Sequence, residues 1–155
     1  MLRPVSLIVG LVVSAALPAQ EVRLANLATR AQTGTGASVL TAGFVVGGSA
    51  KQVVIRAVGP TLSAFGLTGV LADPIVTLVD GTGATVATND NWRSADAAAM
   101  AAVGAFPLPN GSLDAAIVTT LPPGSYTAQV TGAGGGTGLT IIEVYEQGPA
   151  GGRLD

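Results

Sequence analysis

The chain contains no cysteine and no histidine. Without cysteine, no disulfide and no thiolate metal site can form. Without histidine, the commonest general base and the commonest transition-metal ligand are missing, so no imidazole is present to activate a serine or threonine nucleophile. Charge is scarce as well, at 10% of residues, and Lys51 is the only lysine. Arg23, Arg30, Lys51, Arg56, Arg93 and Arg153 are scattered and lack interleaved aromatic residues. A groove that tracks phosphates needs its cations clustered, so nucleic acid is excluded as a partner. Aromatic residues amount to only 4%. The longest uninterrupted apolar stretch lies near the N-terminus and falls short of the roughly 20 residues that span a bilayer.

That stretch is nevertheless informative. Met1-Leu2-Arg3 is a short basic start, Val5 to Leu17 carries no charge, and Pro18-Ala19-Gln20 is a small-residue exit. The order matches a secretory signal peptide with cleavage after Ala19 or Gln20. No cysteine stands at the exit, so a lipoprotein anchor is ruled out. The expected organisation is a signal peptide at 1–20, one folded domain at 21–147, and a Gly-rich tail or the start of a further repeat at 148–155. The expected location is secreted or at the cell surface, with no transmembrane segment after cleavage. The mature part, about 135 residues, holds six basic against nine acidic side chains. With 48% hydrophobic residues it can bury a core without staples.

Ala, Gly, Thr and Val dominate this body, and β-rich runs alternate with Gly, Pro, Asn and Asp at short intervals. The pattern predicts an all-β chain, an antiparallel β-sandwich of jelly-roll or Ig-like type with about eight strands and one short helix. The expected strands are Val22–Ala31, Val39–Val46 (interrupted at Gly43), Gln52–Val58, Ile75–Val79, Ala84–Thr88, Asp114–Leu121, Ser125–Thr131 and Leu139–Tyr145. One helical turn is expected around Leu62 to Phe65. Asp80-Gly81-Thr82-Gly83 signals a hairpin that needs positive φ. Ser94 reads as the N-cap of a helix through Val103, with Ala99, Met100 and Val103 facing inward and Gly104 as its stop. Pro122-Pro123-Gly124 fits a type II turn. Tyr126, Ala128 and Val130 alternate with polar residues, marking a half-buried strand. Gly132 to Gly138 reads as a flexible loop. Three Gly-Thr-Gly triplets, at 34–36, 81–83 and 136–138, open no helix, so they read as turns rather than phosphate cradles.

Two groups of side chains stand out. Asn89, Asp90, Asn91 and Trp92 form a polar cluster whose oxygens, with those of Asp114, suit a hard cation such as calcium. The same residues also suit a strand exit in which Asn and Asp close their own backbone turn, with Trp92 capping one end of the core or contacting a ligand. Arg56 and Glu143 each lie in an otherwise apolar strand. A charge there is costly to bury unless paired, which predicts either a structural ion pair or two side chains in solvent. No catalytic constellation is legible. Asp90 and Asp114 are carboxylates without a surrounding glycosidase pattern, and Asn110-Gly111-Ser112, a formal glycosylation acceptor, also fits a surface turn.

Several segments occur in a familiar order: 23–30, Val54-Ile55-Arg56-Ala57-Val58-Gly59-Pro60-Thr61-Leu62, Leu71-Ala72-Asp73-Pro74, Asn89-Asp90-Asn91-Trp92, Ala116 to Thr127, and Val144-Tyr145-Glu146. Together they resemble a repeat module of large secreted bacterial proteins. Leu121-Pro122-Pro123-Gly124-Ser125-Tyr126-Thr127 resembles part of the bacterial pre-peptidase C-terminal domain, a β-sandwich attached to secreted hydrolases. The resemblance implies a non-catalytic accessory found in tandem or beside other extracellular domains, and Arg153-Leu154 echoes Arg23-Leu24. The expected function is a secreted, non-catalytic module for surface or matrix interaction. The alternative is a carbohydrate-binding accessory of a secreted hydrolase system. Its partner would be an extracellular protein or a polysaccharide, with tandem or self-association as a further option. No cofactor is expected, calcium at Asn89, Asp90, Asn91 and Asp114 being the one option kept open.

Overall fold

The computed structural model describes residues 26–148. The signal-peptide reading, the start of the first expected strand and most of the C-terminal tail lie outside them. Eight strands are present: β1 (Asn26–Thr33), β2 (Leu40–Val46), β3 (Lys51–Val58), β4 (Pro74–Asp80), β5 (Thr85–Asn89), β6 (Ala115–Leu121), β7 (Gly124–Gly132) and β8 (Gly138–Gln147). They form two antiparallel four-stranded sheets, ordered β1-β8-β3-β6 and β2-β7-β4-β5. Both sheets have four strands and are joined by repeated sheet-to-sheet crossings. That order is the double Greek key of a jelly roll; an Ig-like sandwich divides its strands differently.

Period-two patterning places the core. Val53, Ile55 and Ala57 of β3 meet Leu78 of β4 and Tyr126, Ala128 and Val130 of β7 between the sheets. Each fully buried aliphatic side chain of this kind contributes about 1.5–3 kcal/mol. The first sheet is covered on its outer side too. Val54, Val58, Ala116 and Tyr145 pack there against Leu62, Met100, Ala105 and Leu108, with Trp92 and Phe106 partly buried beside them. This second layer explains why β3 reads as an almost continuous apolar run.

The cap that forms it comes from two connections. One is the 3₁₀ helix Pro60–Phe65, started by Pro60 and ended by Gly66 at φ 79°. The other contains a 3₁₀ turn, Ser94–Asp96, followed by α1 (Ala97–Ala102). Ala99, Met100 and Val103 do face the cap's core, and Gly104 ends the helix at φ 73°. Ser94 lies inside the 3₁₀ turn, whose N-cap is Arg93, and no side chain caps it. The Asp96 amide donates to Arg93 O at 2.8 Å, a three-residue bond that makes this turn 3₁₀, and α1 is shorter than expected. The Asp96 carboxylate accepts from Arg93 Nε and Nη2 at 3.0 and 3.2 Å.

Other boundaries depart from expectation for physical reasons. β1 runs on to Thr33 because Gln32 and Thr33 pair with Leu139 and Gly138. β2 passes through Gly43 without a break, opposite Thr127. In the β4–β5 hairpin the positive φ falls on Gly83, not Gly81. Asp80 there accepts from Thr82 Oγ1, Thr82 N and Ala84 N, which hold its carboxyl below the usual range. Gly124 has no positive φ, so the Pro-Pro-Gly corner is not a type II turn; Tyr126 Oη donates to Pro122 O at 2.9 Å and fixes it instead. The Gly132–Gly138 segment is closely packed: a Cβ at Gly132 would strike the Gly136 carbonyl, and one at Gly138 the Leu71 backbone.

Candidate functional site

Among the described residues, three places stand out as candidate sites. The first is the end of the sandwich where Asp114 leads into β6. The carboxylate is fully buried. Its Oδ1 accepts from the Gly59 and Thr61 amides at 2.9 and 3.3 Å. Its Oδ2 accepts from Ser112 Oγ at 2.7 Å and from the Thr61 hydroxyl. Four donors thus converge on its two oxygens. Asp114 is thereby a brace that ties the end of β3 and the start of the Pro60–Phe65 helix to β6. A Cβ at Gly59 would collide with the Leu71 carbonyl, so the backbone approach Asp114 secures also demands glycine.

The neighbouring cluster follows the same logic. Asn89 Nδ2 donates to Asn91 O at 2.9 Å, and its Oδ1 accepts from Ala116 N at 3.0 Å. Trp92 N donates to Asp114 O at 2.8 Å. Its indole Nε1 donates to Pro109 O and Ser112 Oγ, both at 3.1 Å. Asp90 and Asn91 are exposed. The four residues weighed for calcium thus divide: Asn89 and Asp114 spend their oxygens on protein donors, whereas Asp90 and Asn91 reach solvent. No group of three or more His, Cys, Asp or Glu capable of holding a metal occurs among the described residues. Trp92 is half-buried against the cap's core, and its ring edge is held.

The second place is the middle of the first sheet. Arg56 and Glu143 face each other directly across β3 and β8, and Arg56 is completely buried. Arg56 Nε donates to Glu143 Oε2 at 2.8 Å. Nη2 lies 2.7 Å from the same oxygen without the alignment of a second hydrogen bond. Nη1 donates to Phe106 O at 2.6 Å, and the guanidinium carbon sits 4.2 Å from the centre of the Phe106 ring. Tyr145 Oη donates to Glu143 Oε1 at 3.0 Å. Two strands and the cap are therefore joined by one buried ionic network. The sequence named the charged pair; Phe106 and Tyr145 were not legible, because they reach it from a loop and by a two-residue offset along β8.

Burial, and then the adjacent Glu143 charge, push the Tyr145 phenol up to about 12, against an opposing pull from Arg56. A phenol near 10 in the unfolded chain keeps its proton longer when folded. Its contribution is complete below pH 10 and is lost as pH rises towards 12. The urea midpoint is expected to fall across that window, and to fall less in Tyr145→Phe. Equal slopes in the two proteins would exclude the phenol as the source.

The third place is a cleft of about 670 Å³ at the opposite end of β3, between β1, β8 and β3 of one sheet and β2 of the other. Leu27, Phe44, Val46, Val53 and Val144 line it, and Lys51 and Glu146 pair at 3.2 Å on its rim. Val45 stands 74% exposed at its lip. The sequence did not single out this cleft, because its walls meet only through the crossover from β2 to β3 and the return of β8. On the cap, Phe65 is 62% exposed and its ring meets Phe106 edge-on at 5.3 Å.

No family model and no curated protein match the sequence. Among solved structures, the chain is similar to the pre-peptidase C-terminal domain of a collagenase from Bacillus anthracis, with 16% identity over 77% of this chain and 88% of that one, and a TM-score of 0.48.

Proposed function

We propose that this domain is a non-catalytic interaction module that works outside the cytoplasm and engages an extracellular protein or polysaccharide. The cleft is the observation that carries the reading. Its volume lies within the range of small-ligand sites, its floor is apolar, and an ion pair on the rim supplies orientation. The buried carboxylates and the guanidinium are committed to bracing strands and cap, which supports a scaffold rather than an acid–base site. The basic, apolar and small-residue order of residues 1–20 supports export.

The test is a retention assay of the full chain on matrix proteins and insoluble polysaccharides, comparing wild type with Lys51→Glu. Partly exposed ion pairs contribute about 0–1 kcal/mol, so melting should hardly change. Retention should fall at least tenfold. Undiminished retention would remove the cleft from the reading, and turnover of any substrate would remove the non-catalytic assignment.

A second reading, carbohydrate binding, is favoured by the Phe65 ring. It is exposed on the cap and backed by Phe106, as a sugar-stacking platform requires. Retention on a polysaccharide that is lost in Phe65→Ala, but kept in Lys51→Glu, would select it.

A further inference from the structure

A jelly roll exposes four strand edges, and three of them are protected here. β1 carries Arg30 with Asn26 and Gln32. β5 has five residues and follows a register shift at Leu78/Val79. At β6, the Ala116 amide donates to Asn89 Oδ1, and the adjoining Asp114 carbonyl accepts from Trp92 N. Charge, short length, irregular register and local cover are the usual means of preventing edge-to-edge pairing.

β2 has none of these. Leu40-Thr41-Ala42-Gly43-Phe44-Val45-Val46 contains no charge and no proline, and pairs with β7 in unbroken register. Among the described residues no strand lies on its other side. Glycine weakens a strand interior, and often marks the close approach of another backbone. Within one copy Gly43 has no such reason: a Cβ there would meet nothing nearer than the Tyr126 carbonyl at 4.0 Å.

We infer that β2 is the docking edge for a second copy of this chain, paired antiparallel about a two-fold axis at Gly43. The strand is complementary to itself in that register. Gly43 meets Gly43, so the crossing point is free of side chains. On the core side Ala42 faces the partner's Phe44, small against large, and Leu40 faces Val46. On the outer side Thr41 faces Val45, two β-branched residues. Such cross-strand pairs stabilise antiparallel sheets, whereas like charges placed opposite each other would oppose them. No charges meet here. The pairing is isologous, as a two-fold dimer requires, and it joins the two β2-β7-β4-β5 sheets into one of eight strands. It covers Val45, the most exposed large hydrophobic residue described. Seven residues of strand per copy make a small interface, so association should be micromolar or weaker.

The test is sedimentation velocity on the full chain over a concentration series, with Gly43→Lys and Gly43→Cys. A reversible dimer is expected for wild type. Lysine at the axis opposes its own copy, and should raise the dimer dissociation constant at least tenfold while the melting temperature of the dilute monomer stays within a few degrees. The chain has no cysteine of its own. Oxidised Gly43→Cys should therefore give a disulfide-linked dimer, and Thr88→Cys on the β5 edge should not. A wild type that stays monomeric throughout, a dimer indifferent to Gly43→Lys, or equal cross-linking through Thr88→Cys would each overturn the assignment. Gly43 and Val45 also line the cleft, so Gly43→Lys is carried through the retention assay as well: loss of the dimer with retention kept, or of retention with the dimer kept, separates this assignment from the ligand reading.

Discussion

Replacing Arg56 with methionine should destabilise the domain by about 3–5 kcal/mol, because it leaves the Glu143 carboxylate buried without its cation. The loss is not confined to one ion pair. Arg56 also donates to the Phe106 carbonyl and lies against the Phe106 ring, so the cap loses its anchor on β3. The double variant Arg56→Met/Glu143→Leu should recover much of this loss, because removing both charges also removes their desolvation cost. Urea unfolding of the two single variants and the double variant gives the coupling energy. Additive losses would mean that the two side chains do not act as a pair. Loss of the cap alone should leave a folded sandwich with altered tryptophan fluorescence, since Trp92 packs against the cap's core.

Asp114→Ala is expected to have a comparable effect by another route. It strips acceptors from the Gly59 and Thr61 amides and from the Thr61 and Ser112 hydroxyls. A buried donor left unpaired costs about 1–3 kcal/mol. Allowing for rearrangement and water entry, a net loss of roughly 4 kcal/mol is expected. Asp114→Asn keeps one carbonyl oxygen, and should lose clearly less. Calcium-free and calcium-loaded samples of wild type should melt together if the carboxylate is purely a brace. A rise in melting temperature with calcium that is absent from Asp114→Asn would show that a cation competes with its four donors.

Much of the architecture was legible because it depends on local rules. Period-two alternation in 125–131 fixed which face of β7 is buried, and Asp80-Gly81 marked a hairpin without reference to the rest of the chain, although the positive φ fell on Gly83. Departures fell where a hydrogen bond or a packing partner outweighed the local preference. Ser94 lost the N-cap position to Arg93, whose carbonyl takes the Asp96 amide. The Pro-Pro-Gly corner took another turn type, with Tyr126 holding Pro122 O. Gly132–Gly138 read as flexible from composition, yet its two ends pack so closely, Gly132 on the Gly136 carbonyl and Gly138 on the Leu71 backbone, that neither has room for a Cβ.

The candidate sites divide in the same way. Arg56 and Glu143 were visible as charges in apolar runs, because burying a charge is costly wherever it occurs. Asp114 was visible as an oxygen donor, but its role was not, since the Gly59 and Thr61 donors it braces lie more than 50 positions away. The cleft and the open β2 edge left no mark in the sequence.

By itself, then, the sequence determined the strands, their buried faces, the lack of thiol and imidazole chemistry and the need to pair two interior charges. These follow from residue type and spacing. Tertiary structure decided which strands became edges, which carboxylate became a brace and where a cleft opened. Those properties depend on strand order, which brings together groups far apart in the chain.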